Sequence, residues 1–114
     1  MKKLINKVED IAQQQLAGMC LAHPYLNISY DPCYIWRNDN KHHVVLLAGG
    51  GVGHEPMHAG YIGYGMLTGA CPGEVFTPPT PDQMYECGQH VDNGHGLLFF
   101  IKNYSSDVLN FETA

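Results

Sequence analysis

The side chains best suited to chemistry fall in two places along this chain. The first is His54, Glu55, Pro56, Met57 and His58, which follow the glycine-rich run Gly49, Gly50, Gly51, Val52 and Gly53. Two imidazoles four residues apart with a carboxylate between them spell a zinc hydrolase, because a continuous helix would turn both rings toward one metal with the glutamate as base. Pro56 opposes that reading. Inside a helix proline removes a hydrogen bond and clashes with the preceding turn, at about 3 kcal/mol, and it is comfortable only in the first turn. With Pro56 as a first helical residue, His54 lies outside the helix and cannot share a metal with His58, which then reads as a partly buried packing residue. The second place is Lys102 and Asp107. Each alone is an ordinary surface charge. Set opposite a glycine loop carrying His54, they supply donor, acceptor and titratable base for chemistry on a hydroxyl group.

The glycines match neither nucleotide template. A dinucleotide fingerprint starting from Gly49 and Gly51 needs glycine where His54 stands, and the Gly-Lys-Ser/Thr of a P-loop is absent. What remains is a tight turn that offers backbone N–H groups and one imidazole to something small and polar. The plain alternative is a sharp turn with no ligand.

Placing these groups requires a frame. Leu4, Val8, Ile11, Ala12, Leu16, Met19 and Cys20 recur at helical spacing, which predicts an amphipathic helix, with Asn6 and Glu9 as a capping pair and Pro24 as its stop. Cys33–Arg37 reads as a short strand entered through Asp31 and Pro32. Val44, Val45, Leu46, Leu47 and Ala48 form an unbroken apolar run, the pattern of a strand covered on both faces. Nine of the 13 glycines then lie between positions 49 and 73, a composition read as too permissive for regular structure throughout. Thr80, Pro81 and Gln83 give an N-cap, a first-turn proline and a capping-box partner for a helix through Met84, Cys87 and Val91 that ends at Asn93 and Gly94. Residues 97–101 read as a second doubly buried strand. Two such strands joined through a helix make a βαβ crossover, so their carboxyl ends share one edge and the loop at 49–54 meets the segment 102–107. The expected fold is α/β, a mostly parallel sheet flanked by helices around a βαβ core.

Composition narrows the function classes. One domain is expected of 114 residues that are 45% hydrophobic. A net charge of −5, with 6 basic against 11 acidic residues, lacks the footprint of a nucleic-acid binder. No apolar stretch approaches the roughly 18 residues of a membrane span, and the amino terminus lacks the apolar core of a secretory signal, so the chain reads as soluble and cytoplasmic. Cys20, Cys33, Cys71 and Cys87 lie far apart and read as buried free thiols. His23, His42, His43 and His95 stand in polar or turn contexts and read as solvated.

Three separated stretches then carry a resemblance: MKKLIN, GGGVGHEPMHAGYIGYGMLTGACPGEVFTPPTPDQ and IKNYSSDVLNFETA. In this order and spacing the chain resembles, over essentially its whole length, the amino-terminal part of the DhaK-type substrate-binding subunit of bacterial dihydroxyacetone kinases. MKKLIN and CPGEVFT are closer to the phosphotransferase-system type than to the single-chain ATP-dependent type. The resemblance implies that Gly51, Val52, Gly53 and His54 hold dihydroxyacetone and that Lys102 and Asp107 complete the pocket. Asp107 would be the general base and His54 would bind substrate and assist the proton movement. No cofactor would be bound directly, and no metal. The phosphoryl donor would be an ADP moiety with Mg on a DhaL-type partner. Val52 departs from the family, where serine is usual, which exchanges a hydroxyl for a β-branched apolar group. Family members are longer and capture substrate covalently through a further histidine, downstream of Ala114. The chain is therefore expected to be a truncated or excised domain, residues 1–114 of a larger one, inactive alone and prone to form a homo-oligomer through its incomplete sheet. The alternative reading is a non-catalytic, DhaQ-like regulatory or structural relative.

Overall fold

Apolar strands and one strong helix cap set the frame. The computed structural model describes residues 3–38 and 42–114. A 3-10 turn at Val8–Asp10 leads into helix α1 (Ile11–Ala22), then strands β1 (Leu26–Tyr30), β2 (Cys33–Arg37), β3 (Val45–Val52) and β4 (Gly69–Val75). Helix α2 (Pro81–Val91), strand β5 (Leu97–Phe100) and helix α3 (Ser105–Thr113) follow.

The strands form one sheet in the order β1-β2-β4-β3-β5. β3 pairs in parallel with both β4 and β5, while β2 runs antiparallel to β4 and to β1. Four of the five strands therefore point the same way, the α/β, mostly parallel arrangement expected. The period of two sorts β3 onto both faces. Val45 and Leu47 join Met84, Cys87 and Val91 of α2 and Phe111 of α3, whereas Ala48 joins Leu16 of α1, Ile62, Leu67 and Ala70. Leu47 and Met84 are completely buried, each contributing about 1.5–3 kcal/mol of apolar transfer.

The α2 start is as read. Thr80 Oγ1 accepts from the Gln83 N–H at 3.3 Å and the Thr80 N–H donates to Gln83 Oε1 at 2.8 Å, with Pro81 as first helical residue. Gln83 also ties the helix to the sheet. Its Nε2 donates to the carbonyls of Cys33 on β2 and Pro72 on β4, both at 2.8 Å. Beside this link, β2 and β4 share only two ladder pairs among the described residues, Ile35 with Ala70 and Trp36 with Gly69.

Several expectations need correction. α1 starts at Ile11, not near Leu4, which is fully exposed. Asn6 does not cap it but donates to the Gln14 side chain at 3.1 Å. Asp31 and Pro32 are the two-residue loop of a hairpin, so a strand precedes Cys33 that the reading lacked. The glycine region is more regular than its composition implied. β3 runs on through Gly49, Gly50 and Gly51 to Val52, and Gly69–Val75 is a full strand, because β4 is paired on both sides and needs no side-chain pattern of its own. The strand leading into α2 is thus β4, not β3. Finally, β5 is not doubly buried. It lies at the sheet edge and leaves Leu97, Leu98 and Phe100 exposed.

Candidate functional site

Parallel pairing of β3 with β5 puts their carboxyl ends side by side. The register aligns Ala48 with Phe100, so Gly50 and Lys102 follow as neighbours. A Cβ at Gly50 would lie 3.0 Å from both Cε and Nζ of Lys102 and 3.2 Å from Cε1 of His58. The ammonium and the imidazole therefore converge over a bare stretch of backbone. Lys102 Nζ also stands 5.2 Å from the Tyr104 ring centroid, a cation–π contact that restrains its free end.

Past Val52 the chain turns on Gly53, whose φ of +117° is reserved for glycine. The Val52 carbonyl accepts from the Phe76 N–H at 2.7 Å, and the Gly53 N–H donates to Glu55 Oε2 at 2.9 Å. Gln15 of α1 holds the other Glu55 oxygen at 3.1 Å. His54 stacks edge-on against Phe76, with centroids 5.1 Å apart. Residues 53–58 form turns, and the only helical residues nearby are the 3-10 turn Ala59–Tyr61. His54 and His58 therefore do not face one metal from a common helix; Pro56 lies in a turn and does not open a helix as read. Among the described residues no group of three or more His, Cys, Asp or Glu side chains could hold a metal ion.

Asp107 lies in the first turn of α3, where the helix dipole favours a carboxylate. It is 5% exposed, and its Oδ1 has no hydrogen-bond partner among the described residues. His58 Nδ1 is likewise buried and unpartnered. Burial pushes the His58 imidazole below its ordinary value of 6.5, and the Lys102 charge pushes the same way. The Asp107 carboxylate opposes this and His54 adds to it, so the charges of all three reach His58.

A cavity of about 240 Å³ opens against the end of β3, floored by Gly50 and Gly51 and walled by Leu16 and Met19 of α1 and by residues 55–60. This is below the roughly 300–1,000 Å³ of drug-sized sites, which suits a ligand of few atoms. Gly51 and Val52 line it, but Gly53, His54, Lys102 and Asp107 do not. The cavity meets their cluster at Gly50 and His58. Met57 and His58 also line an apolar hollow of about 430 Å³ bounded by Leu46, Ala48, Tyr61, Leu67 and Phe100.

Comparison with known proteins decides the family. The model of the Dak1 domain matches residues 17–114. The chain belongs to the Dak1 domain family. It is 60% identical over its whole length to the dihydroxyacetone-binding subunit DhaK of the PEP-dependent dihydroxyacetone kinase of Escherichia coli, covering 33% of that protein. It is 36% identical over 98% of its length to the DhaKLM operon coactivator DhaQ of Lactococcus lactis, covering 34% of it. The solved dihydroxyacetone kinase from C. freundii in complex with AMP-PNP and Mg2+ superposes with a TM-score of 0.88 at 34% identity, over 97% of this chain and 22% of that one. The chain thus spans about a third of the length of the DhaK and DhaQ relatives.

Gly51 and Val52 are the last two residues of β3, Gly53 and His54 follow it, Lys102 lies two residues past β5, and Asp107 lies in the first turn of α3. Lys102 reaches over Gly50, one residue before the predicted turn. His54 stands toward Phe76. The sequence reading missed Gly50 as the point of convergence, for which the parallel pairing offered a signal; His58 is partly buried, as read. The cysteines are free; Cys71 and Cys87 are fully buried, Cys20 and Cys33 partly. The Cys87 side chain and burial raise the Cys71 thiol well above its ordinary value, and burial with Glu74 pushes Cys33 up to about 11. Such thiols are poor nucleophiles.

Proposed function

We propose that the chain is the amino-terminal part of the dihydroxyacetone-binding domain of a phosphotransferase-system-type dihydroxyacetone kinase, working in the cytoplasm. The observation that carries this reading is Asp107. A buried carboxylate oxygen without a partner costs about 1–3 kcal/mol or more, and this one lies in the first turn of α3, its charge reaching the His58 ring that meets the Lys102 ammonium over Gly50. Such a group is retained for use. In this reading the turn formed by Gly51, Val52, Gly53 and His54 cradles dihydroxyacetone, and Lys102 holds one of its oxygens. Asp107 takes the proton of the hydroxyl to be phosphorylated while His54 hydrogen-bonds the substrate and assists that transfer. Phosphoryl transfer needs chiefly an aligned nucleophile and stabilised charge, which these residues supply from the acceptor side. The donor is an ADP moiety with Mg held by a DhaL-type partner. The lack of a P-loop in this chain fits that division of labour.

The chain by itself is expected to bind but not to turn over. NMR titration with dihydroxyacetone should perturb resonances around Gly50, His54 and Lys102, and Asp107→Ala or His54→Ala should weaken that response. Turnover of the isolated chain with a DhaL-type partner and donor, abolished by Asp107→Ala, would show that no further residues are needed. A folded chain that gives no response to dihydroxyacetone would favour the regulatory reading, to which Val52 and the DhaQ relative lend support. The exposed apolar β5 also supports self-association, checked by sedimentation at several concentrations.

A further inference from the structure

The mechanism above leaves His58 without a task, yet its surroundings are unusual. Its ring and the Lys102 ammonium both lie within 3.2 Å of one point, the position of a Cβ at Gly50. A methyl there would press on both side chains, and each would have to shift by a few tenths of an ångström. His58 also lines, with Met57, both the 240 Å³ cavity and the apolar 430 Å³ hollow.

We propose that His58 is a positioning residue for Lys102: an uncharged imidazole that seats the ammonium over Gly50 and keeps a second positive charge away from it. This rests on the ligand-holding role given to Lys102 above. The charged and titratable groups around His58 are Lys102 after β5, Asp107 on α3, His54 and Glu55 in its own turn, Tyr61 just after it and Cys71 on β4. Glu55 is held by the Gly53 amide and Gln15. The α1 residues packed there, Gln15, Leu16 and Met19, are uncharged. Burial and Lys102 both resist protonation of His58, so the ring is neutral where the site works. When it does take a proton, two cations share the space over Gly50, and the flexible lysine moves away. An apolar spacer of the same size could fill the volume but would not give this pH response.

The test follows the Lys102 side chain directly. With 13C-labelled lysine in the full chain, the Lys102 Cε resonance, assigned by its loss in Lys102→Arg, is recorded from pH 8 to pH 5. The expected result is an inflection below pH 6.5 that coincides with the titration of the His58 ring and vanishes in His58→Gln. A Lys102 resonance that stays flat while His58 titrates overturns the proposal, as does an inflection that survives in His58→Gln. The wild-type titration needs no variant to fold, so an unstable His58→Gln does not spoil it. Adding dihydroxyacetone at pH 7.5 separates the two readings. An intact pH coupling with no ligand response in Lys102 sinks the substrate assignment alone, and a ligand response without the coupling sinks the positioning role alone.

Discussion

An alanine at position 50 should separate ligand binding from folding. The added methyl would meet Lys102 Cε and Nζ at 3.0 Å and His58 Cε1 at 3.2 Å, all side-chain atoms. The end of a lysine can move aside. Replacing glycine in a conformation that alanine can adopt also restricts the unfolded chain, worth about 0.4–1 kcal/mol in favour of the fold. These effects oppose each other, so Gly50→Ala should stay within about 1 kcal/mol of the parent in urea unfolding. Its neighbour is the control. A methyl at Gly51 would sit 2.6 Å from the Thr77 nitrogen, 2.7 Å from the Thr77 oxygen and 3.0 Å from the Glu74 oxygen. These are backbone atoms, and relieving such overlap should cost about 1–3 kcal/mol or more. For binding the order reverses. Lys102 displaced from over Gly50 loses one charge-assisted hydrogen bond to ligand, worth about 1.5–3 kcal/mol, or roughly 10- to 100-fold in affinity. NMR titration with dihydroxyacetone reads that loss at millimolar concentrations. A Gly50→Ala chain destabilised as much as Gly51→Ala, or one that folds normally and binds as tightly as the parent, would refute the placement of Lys102 over Gly50 as the ligand-holding contact.

Thr80→Ala removes one half of the α2 capping box and should lower stability by about 1 kcal/mol, seen as a reduced urea midpoint with an unchanged slope. Because the folded state holds the His58 imidazole below 6.5, the unfolded chain binds that proton first. Stability from this group is therefore complete above pH 6.5 and lost as pH falls from there toward the lowered folded value. Unfolding free energies measured across pH 7.5 to 5 should show this fall, and His58→Gln should remove its share. Asp107→Asn discharges a buried carboxylate with an unpartnered oxygen at the cost of a favourable first-turn charge. Its urea midpoint should be no lower than the parent's while the ligand response weakens; a marked loss of stability would show that the carboxylate serves the fold.

What could be read from the chain alone was what neighbours in sequence decide. Thr80, Pro81 and Gln83 stop and start backbone geometry within one turn of themselves, and their helix begins where they indicate. The approach of Lys102 to the end of β3 was legible too, because parallel strands bring their carboxyl ends to one edge whatever lies between them. β4 was not. Gly69, Pro72 and Gly73 carry no strand pattern, and the strand exists because β2 and β3 flank it. The exposure of β5 was hidden for the converse reason, since Leu97, Leu98 and Phe100 look buried until the sheet order puts them at an edge. The approach of His58 to Lys102 was not legible, because the two meet over Gly50 of β3 and come from segments far apart in sequence.

The short ladder between β2 and β4 gives the molecule a line of weakness. Among the described residues, five pairs join β1 to β2 and six join β3 to β4, but two join the hairpin to the parallel strands. The Gln83 amide spans that seam like a rivet, gripping a carbonyl on each side at 2.8 Å. Rare excursions from the native state should part the hairpin from the parallel strands before either comes undone internally. Backbone amides on the two sides would then exchange with solvent as separate groups, and a change at position 83 would loosen the join while leaving the ligand floor on β3 in place.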